Sequence, residues 1–220
     1  MATMAASAPQ SRRPVISIGR PRPSGIWLRW IGVTVAGAVV GAVAAGEIRI
    51  VLTANPGLLP KDVVYVATVV NVLILAGAQW LLFRRQPLEV GWWIPATVAA
   101  NLATAIVVIP TVLRLVEPAP GALITEASAV VGGAAALAAA GLVVGFAQAF
   151  VLRLAGGREA LLWMPATVLG GALTGALTTA LSTQFFNLRL PGLIALGLLT
   201  AIGSLMTAAA QAPILARLVR

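Results

Sequence analysis

The chain has 220 residues, 60% hydrophobic and only 10% charged, with a mean hydropathy of +0.98 and a formal net charge of +9. Soluble domains carry about a quarter charged residues, so this composition belongs to the membrane class. The absence of cysteine and histidine excludes disulfides, Cys/His zinc sites, His-ligated haem and the commonest general base.

Residues 1–24 are polar, with Pro9, Pro14, Pro21 and Pro23 among Arg12, Arg13, Arg20 and Arg22. Such a stretch has too little apolar surface to fold alone. It reads as a disordered basic cytoplasmic tail that sets topology, its arginines placed to meet anionic lipid headgroups. The apolar run behind it is too long for a signal h-region and shows no small-residue cleavage site.

Six apolar runs follow: Ile26–Ala45, Val63–Phe83, Trp93–Leu113, Ala127–Leu152, Leu161–Leu181 and Gly192–Leu215. Each is close to the ~20 residues that cross a bilayer. Apart from Arg29, their cores lack Asp, Glu, Lys and Arg, and the connections are too short for a soluble domain. The expectation is an all-α, six-span membrane domain over residues 25–220. Arg84, Arg85, Arg153, Arg158, Arg217 and Arg220 join the tail arginines on one side. Arg49, Lys61, Arg114 and Arg189 on the other are offset by Glu47, Asp62, Glu117 and Glu126. The positive-inside rule then puts both termini in the cytoplasm of a cell inner or plasma membrane protein.

The runs share markers. Gly91-Trp92-Trp93-Ile94-Pro95-Ala96-Thr97-Val98 returns as Leu161-Leu162-Trp163-Met164-Pro165-Ala166-Thr167-Val168, with a worn copy at Trp30 to Val35. One helix later, Gln79, Gln148 and Gln211 each stand three residues after a small one: Ala76, Gly145 and Ala208. Trp30 to Trp93 is 63 residues and Trp93 to Trp163 is 70; Gln79 to Gln148 is 69 and Gln148 to Gln211 is 63. Two markers in step predict three parallel two-helix repeats, about 25–85, 86–154 and 155–220, arranged with pseudo-threefold symmetry. Mitochondrial carriers share that layout, but their charged Pro-x-[Asp/Glu]-x-x-[Lys/Arg] signature is missing.

Pro95 and Pro165 fall in first turns, where no backbone donor is lost. Trp30, Trp92, Trp93 and Trp163 at the helix ends read as interface anchors, apolar in body and wet at the N–H. Each glutamine puts a small residue and an amide on one helix face, so that a neighbour can approach and be hydrogen-bonded. Its expected partner is a threonine such as Thr97 or Thr167, or a first-turn backbone group, of a neighbouring hairpin. The alternative is a ring of amides lining a polar cavity. Asn71 and Asn101 are the deepest amides and mark the most polar point inside the bundle. Gly37/Gly41/Ala45, Gly141/Gly145/Ala149 and Gly171/Gly175 have the small-xxx-small spacing of close helix contacts.

Gln79-Trp80 with Arg84-Arg85, followed by Gly91-Trp92-Trp93 and echoed by Gln148 with Arg153, resembles uncharacterised multi-pass membrane proteins of bacteria with repeated Gly- and Gln-Trp-bearing helix ends. That resemblance brings no activity and no catalytic residues.

Enzyme chemistry is not expected, because the spans offer hydroxyls such as Ser204 without a base, and no phosphate loop is present. Nothing in the chain calls for a cofactor. Ion-coupled transport usually leaves an intramembrane carboxylate, and none is found. Two readings remain. The first is a structural or accessory subunit packing against other components of a larger membrane complex. The alternative is a passive transporter or channel for a small neutral solute, with Asn71, Asn101, Thr104, Gln79, Gln148 and Gln211 as lining.

Overall fold

A computed structural model describes residues 25–54, 57–86, 90–116 and 125–219, apart from the side chain at 186. The expected tail, with Arg12, Arg13, Arg20 and Arg22, lies outside the described residues, as do Glu117 and Arg220. The protein is all-α, and among the described residues six helices are long and apolar enough to cross a membrane. They are α1 (Ile26–Thr53), α2 (Pro60–Phe83), α3 (Trp93–Leu115), α4 (Glu126–Leu154), α5 (Trp163–Asn187) and α6 (Gly192–Leu218). In lipid every backbone amide must be satisfied internally, so an uninterrupted apolar run has no option but a helix.

Two helices run past the bounds expected from hydropathy. α1 continues beyond Ala45 through Glu47 and Arg49, both exposed, and α5 continues from Leu181 to Asn187. Charge ends an apolar run but does not end a helix. No proline follows α1 until Pro56, and α5 stops only before Arg189, which takes a positive φ of 52°, and Pro191. At 28 residues, α1 is about 42 Å long and exceeds the ~30 Å hydrocarbon thickness, so its charged end has room to reach water.

Local chemistry sets the other ends. Pro60 opens α2 at a position that needs no donor. Thr125 and Ser128 form a reciprocal capping box on α4: each side-chain oxygen accepts from the other's backbone N–H, at 3.1 and 3.0 Å. α4 closes in a Schellman turn. Gly156 takes φ +86°, its N–H donates to Arg153 O, and Gly157 N–H donates to Leu152 O. Inside α3, Thr104–Val108 is a π-helical turn. Pro110 explains it, since a proline ring clashes with the carbonyl four residues back and offers no N–H to it, and a wider turn relieves both.

Each helix packs on its predecessor and its successor, and α6 packs back on α1, closing a ring in chain order. α4 and α5 make the closest seam. A Cβ on Gly171 would overlap Leu137 O, one on Gly175 would overlap Gly133 O, and one on Gly141 would lie 2.5 Å from Thr167 O. Only glycine lets the two backbones touch in this way. Across α1 and α2, Gly41 faces Asn71 and Gly37 faces Ala78.

Candidate functional site

At one end of the ring, three indoles fill the centre. Trp30 on α1, Trp93 on α3 and Trp163 on α5 are all 0% exposed. Their ring centroids are 5.2 to 6.2 Å apart and their planes cross at 73° to 81°, edge to face. Phe83 packs on Trp30 and Trp93 at 5.4 and 4.7 Å. Such pairs add about 0.5–1.5 kcal/mol each beyond the area they bury. This corrects the expectation that all four marker tryptophans are wet interface anchors: only Trp92, at 70% exposure, is on the surface. The physical reason lies in spacing and chemistry. Trp30, Trp93 and Trp163 each precede a threonine by four residues, one helical turn, so the pair shares a face. A threonine in lipid turns inward, and its tryptophan goes with it.

Immediately next to the indoles lies a layer of buried amides and hydroxyls. Gln79 Nε2 donates to Thr34 Oγ1 at 3.2 Å, Gln148 Nε2 to Thr97 Oγ1 at 3.2 Å, and Gln211 Nε2 to Thr167 Oγ1 at 2.9 Å. Trp93 Nε1 donates to Gln79 Oε1 at 3.3 Å and Trp163 Nε1 to Gln148 Oε1 at 2.9 Å. All three glutamines are at most 4% exposed. An indole nitrogen can only donate, so it fixes which end of the amide it meets. The expectation placed the threonine partner on a neighbouring hairpin. It is instead on the preceding helix of the same hairpin, and the bond to the next hairpin is made by tryptophan. The correction follows from reach: the glutamine's nitrogen meets the adjacent antiparallel helix, which leaves its oxygen for the helix on the other side.

The third junction differs. Trp30 Nε1 is buried and has no hydrogen-bond partner. A buried donor left in this state costs about 1–3 kcal/mol.

Beside the amide layer the ring surrounds a cavity of about 440 Å³ that is open rather than sealed, lined by residues of all six helices. Gln79, Gln148, Gln211, Asn71, Asn101, Thr97 and Thr167 all line it, and so do Thr34, Thr174, Thr178, Thr200, Ser204 and Thr207. Leu75, Leu137, Leu199 and Val144 supply apolar wall. Among the described residues, no ionisable side chain is in the lining. Much of its polarity is spent within the protein. Thr174 donates to Gly203 O at 2.6 Å, across α5 and α6, Thr178 to Thr174 O at 2.7 Å, Ser204 to Ala201 O at 3.1 Å, and Asn101 Nδ2 to Thr97 O at 2.8 Å. Asn71 Oδ1 is buried without a partner. Thr104, expected in the lining, is buried elsewhere and bonds Ala100 O.

Sequence reasoning singled out Thr167 on α5 but did not place Thr174, Thr178, Thr200, Ser204 or Thr207 in the lining. Thr174 and Thr178 are one turn apart, as are Thr200, Ser204 and Thr207, and a threonine stripe on a membrane helix is the signal that could have found them. Among the described residues, no group of three His, Cys, Asp or Glu side chains comes together to hold a metal. Comparisons with protein-family models, with curated proteins and with solved structures return no match.

Proposed function

We propose that this protein binds a small neutral solute in its central cavity and passes it across a bacterial cell membrane. The observation that carries the reading is the cavity itself: about 440 Å³, mostly apolar in surface, with amides and hydroxyls as its polar groups, among them Gln79 and Gln148, which hold the buried Trp93 and Trp163. A charged solute would lose its hydration there against no counter-charge, whereas a neutral polar one exchanges water for amides and hydroxyls. Catalysis has no part in the reading, because the lining pairs no nucleophile with a base.

The arrangement we infer is three parallel two-helix repeats about an axis along the membrane normal. Its support is the recurrence of the glutamine–threonine bond at three places and of the tryptophan–glutamine bond at two. With both termini cytoplasmic, the tryptophans close the cytoplasmic end. A reporter active only outside the cytoplasm, fused after Arg220, is expected to be silent, and activity there overturns the orientation.

The accessory-subunit reading is the weaker proposal. Gly37, Gly41, Gly141, Gly145, Gly171 and Gly175 pack on neighbouring helices of the same ring, which leaves Gly32, Gly77 and Gly197 as mid-helix glycines with nothing within 4 Å, open for a partner to meet. Stopped-flow swelling of proteoliposomes tests both. Protein-dependent permeation of small neutral osmolytes is expected. No permeation above lipid alone, together with a stoichiometric partner in mild detergent, would replace passage by the accessory role.

A further inference from the structure

The wall that α5 and α6 turn to the cavity carries a cluster of hydroxyls whose protons are already committed. Thr178 donates to Thr174 O at 2.7 Å and Ser204 to Ala201 O at 3.1 Å. Thr174 donates across the two helices to Gly203 O at 2.6 Å. A hydroxyl has one proton. In the 3.2 Å contact between Thr174 and Thr207 the donor is therefore Thr207, and its proton is spent as well. Gly203 makes the cluster compact: a Cβ there would lie 2.6 Å from Thr174 Cγ2 and 3.4 Å from Thr178 Cγ2. These four residues line the cavity and are partly exposed. Gln79, Gln148 and Gln211, whose amides could donate, are at most 4% exposed. What the wall has left to offer is lone pairs. Thr200, one turn before Ser204 on the same face, is the exception: among the described residues its hydroxyl meets no partner.

We propose that this wall binds the NH2 group of a small uncharged amide, a primary carboxamide or urea, an inference that rests on the solute-passage reading. An amide nitrogen is a donor only and carries two protons. Neighbouring oxygens that can only accept satisfy both. A polyol brings a further oxygen with every proton, and to serve that oxygen the wall would have to withdraw a hydroxyl from its backbone carbonyl. A ketone brings no proton at all. The amide's own carbonyl has the Thr200 hydroxyl as its donor. An ammonium ion would also donate, but among the described residues the lining holds no carboxylate to replace its hydration. Leu137 and Leu199 supply apolar wall for the hydrocarbon part of a carboxamide.

The test uses the full chain in lipid nanodiscs with ¹³C-labelled threonine methyls, those of Thr174 and Thr178 being assigned by their loss in Thr174→Val and Thr178→Val. Acetamide is expected to move both resonances saturably, while Thr68 and Thr104, outside the lining, hold still. Acetone has nearly the same shape without the N–H groups, and at equal concentration it is expected to move them much less. Thr178→Val keeps the branched shape and removes a hydroxyl bonded only within its own helix. It is expected to raise the half-maximal acetamide concentration about fivefold, the loss of one hydrogen bond. The wild-type contrast stands whether or not that variant folds. The proposal is overturned if acetone acts like acetamide. It is also overturned if potassium chloride moves the same methyls as far, which would mean a cation site. The two readings fail separately. Saturable acetamide binding, with swelling of proteoliposomes in acetamide no faster than that of lipid alone, ends the passage reading and keeps the site. Protein-dependent permeation of neutral osmolytes with methyls indifferent to acetamide keeps passage and ends the site.

Discussion

The two ends of the helix ring are held by different means. At the tryptophan end, bulk does the work: three indoles and Phe83 fill the axis, and amides tie each hairpin to the next. Through the middle and towards the other end, the absence of bulk does it. Gly133, Gly171 and Gly175 bring α4 and α5 into backbone contact, while the axis stays open as the cavity. Large side chains at the centre pull helices together only by occupying the space between them. Small ones bring neighbouring helices together at the periphery and so leave that space free. A bundle that is to be closed at one end and hollow above it needs both devices in sequence.

Substitutions that reverse one device at a time put this contrast to the test. Trp93→Ala removes a fully buried indole from the plug and should cost about 3–5 kcal/mol, read as a fall in thermal unfolding temperature in detergent. In proteoliposomes that survive reconstitution it should also raise basal permeability. An unchanged leak would mean that the indoles do not close the cavity. Gly171→Leu reverses the other device by driving a side chain into Leu137 O. Its expected cost is at or above the ~3 kcal/mol end of overpacking, seen as loss of the monodisperse peak on size exclusion. A well-behaved variant would show that the α4–α5 seam can spread. Gln148→Leu leaves Trp163 N–H without its acceptor and Thr97 without its donor, for about 1–3 kcal/mol. The smallest effect separates the junctions within the plug. Trp93→Phe and Trp30→Phe remove the same atoms, but only the first breaks a hydrogen bond. Trp93→Phe should be the more destabilising by about 1 kcal/mol. Equal melting temperatures would erase the distinction.

The six spans were legible because lipid leaves an apolar run no alternative to a helix, and charge-free runs of the right length are hard to mistake. Gln79, Gln148 and Gln211 stood out for the same reason, as amides with no cheap place in hydrocarbon. What lay beyond hydropathy was direction. α1 is apolar on nearly every face, so the pattern does not distinguish a Trp30 turned to lipid from one turned to the axis. The four-residue step to Thr34 held that information, and it required reading two residues together. The π turn at Thr104–Val108 follows from Pro110, yet a proline in an apolar run predicts only that something must yield, not which turn widens. The cavity was least accessible, because it is set by how far apart six helices stand. That distance depends on which glycines face which backbone, and one helix's sequence carries only half of each such pair.

The packing of the indoles has an optical consequence. Three identical chromophores with centroids within 6.2 Å of one another, and planes steeply inclined, are arranged so that their electronic transitions mix. Mixing of this kind, strongest for the intense far-ultraviolet indole transition, produces a bisignate circular dichroism band whose amplitude falls steeply with separation and vanishes when the rings become parallel or part. The protein therefore carries its own ruler at the closed end. A gate that opens by moving one helix would announce itself as a loss of that band, in unlabelled material and on the timescale of the movement.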